Sequence, residues 1–306
     1  MSVWLTPDNS AAFERLTTPA LAQALHRIKH PGAQEPLLLV GSILAVGTFF
    51  AAQPAALAVL RPGLEQSVEV LSLVVSKPFR RLGLASELLR WIQEQALSMG
   101  FRSLFISYPL GDESNIAMKR LTDPRRGWEC IEGLRLFRFD RCGAQALLQR
   151  IAPMVQYLYR SNRYSLVPWS DLEIDAQQGL GEQLYAPQWS WPSQEDHITN
   201  FDSLDEKISA ILLDRGVMSG WVTAHRVGDS LLRITKLWVI PAHQGKGTGM
   251  LLLNRAVQHY INDCTYISGC FGVNPKNNVM MKICTRYIEP LSVSVQKIRR
   301  CLFAFL

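Results

Sequence analysis

The sequence predicts an α/β protein built as two tandem units, each a mixed α+β sheet flanked by helices. Three observations carry that prediction. The chain has 306 residues, the size of about two ordinary domains. Its composition, 48% hydrophobic and 19% charged, is that of a folded globular chain rather than a disordered one. Most informative is an order of strand, glycine loop, helix and strand that occurs twice, with Gly83 and Gly247 standing 164 residues apart. Self-similarity of this kind is the mark of a duplicated supersecondary unit.

Taken in order, residues 1–145 make the first unit, 146–163 a connecting helix and 164–306 the second unit. Leu37 to Leu60 runs 24 residues without a charge, long enough to cross a bilayer. Gly41, Ser42, Gly47, Thr48, Gln53 and Pro54 split it into two short runs, which favours two neighbouring buried strands and leaves a membrane anchor as the alternative. VEVLSLVV is a strand ending at Val75. Leu84, Leu88, Trp91, Ile92, Ala96 and Met99 then recur at helical spacing, and Gly100 stops the helix. FRSLFISY reads as the next strand, and LRLFRFD alternates as the one that closes the unit. The connecting helix is expected to bend near Pro153. In the second unit YSLVPWSDLEI, ISAILLD, VMSGWVTAHRV and LLRITKLWVI are strand-like, and LLLNRAVQHYI is a helix. APQWSWPSQEDHITN, residues 186–200, has no clean period and is expected either as a substrate-side loop or as tryptophans packed over a core edge.

The two loops are built for an anion. Glycine lets backbone approach a ligand closely and adopts left-handed dihedrals at little cost. The first-turn N–H groups of the following helix lack intrahelical partners and carry the positive end of its dipole. In PAHQGKGTGM, residues 241–250, a Walker loop is excluded because Ile240 stands where its first glycine belongs and Gly247 follows Lys246. A dinucleotide loop is excluded because Gly249 comes one place early. What remains is Gln244-x-x-Gly247-x-Gly249, matched upstream by Arg80-x-x-Gly83-x-Ala85. Downstream, Asn115 in SNIAMKRL follows Gly83 by 32 residues and Asn277 in NNVMMKI follows Gly247 by 30.

Val75 to Ala85 and Val239 to Gly249 fit V-x-x-x-x-[RQ]-x-x-G-x-[GA] without a gap, and on these residues both halves resemble GNAT (GCN5-related N-acetyltransferase) domains. The resemblance is strongest over residues 68–121 and 231–288. It implies acetyl-CoA as co-substrate, with loop amides on its pyrophosphate and the pantetheine arm admitted where the strand before the loop splays from its neighbour. By that resemblance the cofactor-binding residues are Val75, Arg80, Arg81, Leu82, Gly83, Leu84, Ala85 and Asn115 in the first half. In the second they are Val239, Gln244, Gly245, Lys246, Gly247, Thr248, Gly249 and Asn277. The Gln-Gly-Lys-Gly-Thr-Gly loop is the more permissive of the two, so cofactor is expected first in the second half. The implied activity is direct acetyl transfer to a primary amine of a small molecule or peptide.

That chemistry needs a base to deprotonate the amine, an acid to protonate the departing thiolate and donors for the carbonyl oxygen. Glu69 is the one acid on the strand leading to the first loop. Period-two alternation groups it with Leu71, Leu73 and Val75, an apolar face that would bury it and raise its pKa; a solvent-facing glutamate at a strand start is the alternative. LLRITKLWVI has no acid, which leaves His225, Glu206 or Asp229 unranked. Many members of the family carry tyrosine seven residues after the asparagine, and here Thr122 and Cys284 occupy those places. Cys284 is therefore a candidate acid as well as a candidate core residue, with Tyr287 about one helical turn further on. Gly127-Trp128 keeps the glycine-aromatic end of that helix in the first half, and Tyr287-Ile288 replaces it in the second. The missing tyrosines keep a second function open, a non-catalytic acyl-CoA-binding or sensing protein.

The formal net charge of +6 lies in the first half: residues 1–165 hold 19 Lys+Arg against 13 Asp+Glu, leaving 13 against 13. Lys119, Arg120, Arg125 and Arg126 cluster near its second motif, as a solvated basic face or a site for a phosphate or an acidic substrate. No nucleic-acid motif accompanies them, so no nucleic-acid partner is expected. The six cysteines show no metal-ligand spacing and are expected as free thiols in a reducing cytoplasm, with no metal. MSVWLTPDNS lacks the features of a secretory signal.

Overall fold

A computed structural model describes residues 1–32, 35, 39, 42–111, 114–172, 204–227 and 230–305. The strands in chain order are β1 (Ser2–Trp4), β2 (Leu44–Phe50), β3 (Gln53–Pro62), β4 (Ser67–Val75), β5 (Ser103–Pro109), β6 (Trp128–Phe139), β7 (Tyr164–Pro168), β8 (Ala210–Asp214), β9 (Val217–Val227), β10 (Leu231–Val239), β11 (Ser268–Val273) and β12 (Ser294–Ala304). The helices are α1 (Pro7–Ser10), α2 (Pro19–Leu25), α3 (Leu84–Ser98), α4 (Ser114–Leu121), α5 (Arg141–Arg160), α6 (Thr248–Asn262) and α7 (Asn278–Ile283). The chain forms two compact units, Met1–Leu134 with Gln296–Leu306, and Arg135–Val295.

In the first unit the strand order is β1-β2-β3-β4-β5-β12, with the start of β6 beyond. β4 and β5 are parallel and joined through α3, while the other pairings from β1 to β12 are antiparallel. α3 buries Leu84, Leu88, Leu89, Ile92 and Ala96, one stripe at helical spacing. These side chains pack on Ala56, Ala58, Leu60, Val68 and Val70 of the sheet. The opposite sheet face is covered by Phe13 and Leu25, which meet Leu57 and Val59. The uncharged stretch thus forms β2 and β3, as far as it lies within the described residues. Among those residues no helix is long and apolar enough to cross a membrane.

In the second unit the order is β6-β11-β10-β9-β8-β7, with β10 and β11 parallel and joined through α6. The internal repeat is metric. β4 (67–75) and α3 (84–98) map onto β10 (231–239) and α6 (248–262) at a constant offset of 164. Even the irregularities repeat. The β3–β4 register shifts at Val59/Leu60, leaving Leu71 without a partner on β3, and the β9–β10 register shifts at Ile234/Lys236, leaving Thr235 unpartnered. Each is a β-bulge, which resets the alternation of the strand that carries it.

Two features differ from the linear division into 1–145, 146–163 and 164–306. First, the chain's last strand belongs to the first unit: β12 pairs with β5 from Ile298↔Pro109 to Ala304↔Ser103 and lends Cys301 and Phe303 to its core. Residues 135–139 of LRLFRFD instead pair with β11 and place Phe137 and Phe139 in the core of the second unit. Sequence order does not dictate which apolar edge a strand completes. Second, residues 141–160 are no connector. Asp140 caps α5 by accepting the Gly143 N–H at 2.8 Å, the helix runs through Pro153, and Ala144, Leu147, Ile151, Val155 and Leu158 bury one face in the second core.

The cysteine expectation is also corrected. Cys130 and Cys301 form a disulfide within the first unit, while Cys142, Cys264, Cys270 and Cys284 are free. A separation of 171 residues concealed a pair whose Cα atoms are 4.1 Å apart on β6 and β12.

Candidate active site

Both loops have one backbone design. Val75 ends β4, and the Arg80 side chain turns back so that its Nε donates to the Val75 carbonyl at 3.2 Å. Gln244 does the same to Val239, its Nε2 donating at 2.8 Å. Arg81 (φ 67°) and Gly245 (φ 74°) follow in the left-handed region, as do Gly83 (φ 83°) and Gly247 (φ 82°) at the two helix N-caps. The arginine at 81 holds a conformation that glycine adopts at no steric cost. Leu82 points to solvent. In the second loop Lys246 is exposed and the buried Thr248 hydroxyl donates to the His243 carbonyl at 2.8 Å.

What lies over the loops differs. A methyl group at Gly83 would meet nothing within 4 Å. At Gly247 it would meet Met154 Sδ at 2.9 Å and Leu158 Cδ1 at 3.5 Å, both from α5. The second loop, expected to be the more permissive clamp, is covered by its own unit. The first opens into a cleft of about 770 Å³ between Leu73–Val75 of β4, the Arg80–Ala85 loop with the start of α3, and Ala117, Met118 and Leu121 of α4. Arg80, Arg81, Arg120 and Arg126 line it, and among the described residues no carboxylate does. A side groove of about 440 Å³ continues past Leu121 and Arg126 to Trp128. The β4–β5 ladder ends at Val70↔Ile106 although the strands run on to Val75 and Pro109. The wall of the cleft is therefore a strand edge freed from β5, with backbone groups for an extended ligand. A helix N-terminus, four guanidinium groups and a free strand edge together suit a long ligand with phosphates at one end.

A sequence model of the acetyltransferase (GNAT) family matches residues 10–122 and again 180–282. The chain belongs to that family. A tandem GNAT protein from the clavulanic acid biosynthesis pathway is similar over 98% of this chain and 97% of its own, at 14% identity and a TM-score of 0.65. A GCN5-related N-acetyltransferase from Sphaerobacter thermophilus matches 100% of this chain and 96% of its own, at 12% identity and a TM-score of 0.60. The glucosamine N-acetyltransferase region of a fungal multi-domain β-N-acetylglucosaminidase gives a TM-score of 0.70 at 9% identity, over 99% of this chain and 38% of that one. At these identities the likeness concerns the fold. No curated protein matches the sequence.

For a GNAT chain the remaining question is the chemistry around the cleft. Glu69 does not share a face with Leu73 and Val75. The bulge at Leu71 flips the strand, so Leu73 and Val75 pack with α3 while Glu69 faces the other side, opposite Arg61. It is not buried as expected: its carboxylate accepts from Arg61 Nη2 at 2.7 Å, with the two side chains 32% and 29% exposed. Arg300, its guanidinium 4.1 Å over the Phe105 ring, also acts on Glu69 electrostatically. Glu69 lies one residue before the point where β4 and β5 part.

Cys284 is fully buried in the second core, at the head of a π-helical turn Cys284–Ile288. Burial, and then the nearby Glu289 charge, push its thiol up to about 12. It is a core residue rather than a proton donor to a bound ligand. Tyr287 packs under Arg150 and Arg286. The two asparagines are not equivalent. Asn277 caps α7, accepting the Met280 N–H at 3.1 Å, whereas Asn115 lies inside α4, buried, with an Nδ2 that makes no hydrogen bond among the described residues. Thr122, in the tyrosine place, receives help the sequence did not signal: the Tyr108 hydroxyl lies 3.1 Å from its Oγ1, which in turn donates to the Met118 carbonyl at 2.9 Å. His225 is buried, with Nδ1 2.7 Å from the hydroxyl of Thr235, and Glu206 is exposed. Asp229 and residues 186–200 lie outside the described residues.

Proposed function

We propose that the chain is an acetyl-CoA-dependent N-acetyltransferase that loads its cofactor in the first unit and passes the acetyl group directly to a primary amine. The observation that carries this reading is the open space over Gly83 beside the filled space over Gly247. In it the α3 N-terminus and the left-handed loop hold the pyrophosphate, Arg81, Arg120 and Arg126 balance its charge, and the freed edge at Leu73–Val75 pairs with the pantetheine amides. Glu69, on the opposite face beside the parting strands, takes the ammonium proton directly or through water, because an alkyl amine with a pKa of about 10 is mostly charged at pH 7. The amine attacks the thioester carbonyl, the C–S bond breaks, and the proton shed by the new amide nitrogen passes, directly or through water, to the departing thiolate.

Isothermal calorimetry with CoA tests the assignment. Gly83→Val should weaken binding by about a hundredfold, since valine neither tolerates a φ of 83° nor leaves room for phosphate. Gly247→Val should leave CoA affinity unchanged. The reverse pattern would move the site to the second unit. A non-catalytic acyl-CoA sensor is the second reading, favoured by the Arg61 clasp on Glu69. CoA binding without thiol release across a panel of amines would select it.

A further inference from the structure

The Cys130–Cys301 disulfide lies directly behind the α4 wall of the cleft. Cys130 Sγ sits 3.4 Å from the Thr122 carbonyl oxygen, and Cys301 Sγ sits 3.9 Å from the Tyr108 hydroxyl. The same hydroxyl is the partner of Thr122. Thr122 follows Leu121, and the Thr122–Trp128 segment carries Arg126; Leu121 and Arg126 line both the cleft and its side groove. One sulfur thus lies against the Thr122 carbonyl and the other against the Tyr108 hydroxyl, the partner of the Thr122 side chain that bonds the last turn of α4. Joined, they carry no hydrogen and tie β6 to the chain's final strand.

We propose that this disulfide is a redox latch on the cofactor cleft, an inference that rests on the cofactor reading above. The thiolate of a dithiol reductant attacks Cys130, the half-buried member of the pair, while Cys301 is fully enclosed. The S–S bond breaks, Cys301 leaves as a thiolate and takes a proton, and the second thiol of the reductant releases Cys130 as it closes its own disulfide. Two electrons and two protons pass to the protein. Reduction removes the covalent tie between the neighbouring strands β6 and β12, and the two sulfurs, no longer bonded, must separate to van der Waals distance, which pushes them against the Thr122 carbonyl and the Tyr108 hydroxyl at the end of α4. The α4 end with Leu121 and Arg126 loses its fixed position, and the cleft holds CoA less tightly. The four other cysteines remain thiols throughout, so the pair is singled out by geometry.

Alkylation of the unreduced, denatured protein with iodoacetamide should label Cys142, Cys264, Cys270 and Cys284 and spare Cys130 and Cys301; labelling of all the cysteines overturns the proposal. Calorimetric CoA titrations before and after dithiothreitol, with melting curves to show that both forms are folded, should give about tenfold weaker binding on reduction. Reoxidation should restore it, a comparison on the wild type that needs no variant to fold. The Cys130→Ala/Cys301→Ala variant should bind like the reduced form and ignore dithiothreitol. Equal affinity in both redox states of the wild type sinks the latch alone. No CoA binding in either state sinks the cofactor reading and the latch with it.

Discussion

Two loops share one backbone and differ in what covers them. Gly83 and Gly247 have nearly the same left-handed φ, a side chain reaching back to the strand, Arg80 in one and Gln244 in the other, and a helix behind, yet one faces a cleft and the other the sulfur of Met154. The difference is supplied by α5, whose Met154 and Leu158 lie over the second loop. The strands before the loops diverge in the same sense. The bulged position is Leu71 in one and Thr235 in the other, and the residue facing the neighbouring strand just before it is Glu69 opposite Arg61 in one and Arg233 opposite His225 in the other. A carboxylate can accept a proton from an ammonium group and a guanidinium cannot. The lesson is that a phosphate-loop motif specifies backbone, and the chemistry depends on what the rest of the unit does with it.

The sharpest way to break the contrast is at Glu69. If it is the base, Glu69→Gln should lower kcat by about a hundredfold or more while calorimetric CoA affinity stays at the wild-type value, because the side chain lies on the face away from Leu73 and Val75. A variant with full turnover would return the second unit to consideration.

Much of this was legible in the sequence. The loops, the strands before them and the helices after them follow from glycine dihedrals and apolar periodicity, and the offset of 164 appears in both sequence and structure. Three things were not legible, each for a physical reason. Alternation counts positions and cannot see a bulge, so Glu69 was grouped with Leu73 and Val75, which point the other way. A strand's own pattern names no partner, so the last strand was grouped with residues 164–306 and the two cysteines it brings together were read as free thiols. The spacing of Leu147, Ile151, Val155 and Leu158 identifies a buried helix face but not what it covers; here it packs into the second core, and Met154 beside it closes the Gly247 loop.

The cover can be tested directly. Met154→Ala with Leu158→Ala removes the atoms over Gly247 and should cost about 2 kcal/mol of stability or more in chemical unfolding. If cover alone separates the units, calorimetry on the double variant should reveal a second, weaker CoA equivalent per chain. A stability loss with unchanged stoichiometry would show that the second loop lacks more than space, the guanidinium groups around the first cleft being the obvious deficit.

The smallest expected effect concerns how each loop is anchored to its strand. In the first unit Phe50 and Phe79 make the link, ring centroids 5.5 Å apart. At the same offset in the second stand Asp214 and His243, with His243 Nε2 3.1 Å from the carboxylate and Arg163 bonded to both its oxygens at 2.6 Å. One anchor is apolar and insensitive to pH; the other titrates. The Arg163 hydrogen bond, against the cost of desolvation, and with the Arg163 and His243 charges adding to it, holds the Asp214 carboxyl below its ordinary 3.8. A group depressed in the folded state stabilises fully above its unfolded pKa and loses that contribution as pH falls through the folded value. The melting temperature of the wild type should therefore exceed that of Asp214→Asn at about pH 6, and the gap should close as the pH approaches about 2. A gap that stays constant over that range would mean the carboxylate's charge does not hold the second loop, and that the two anchors differ in composition without differing in physics.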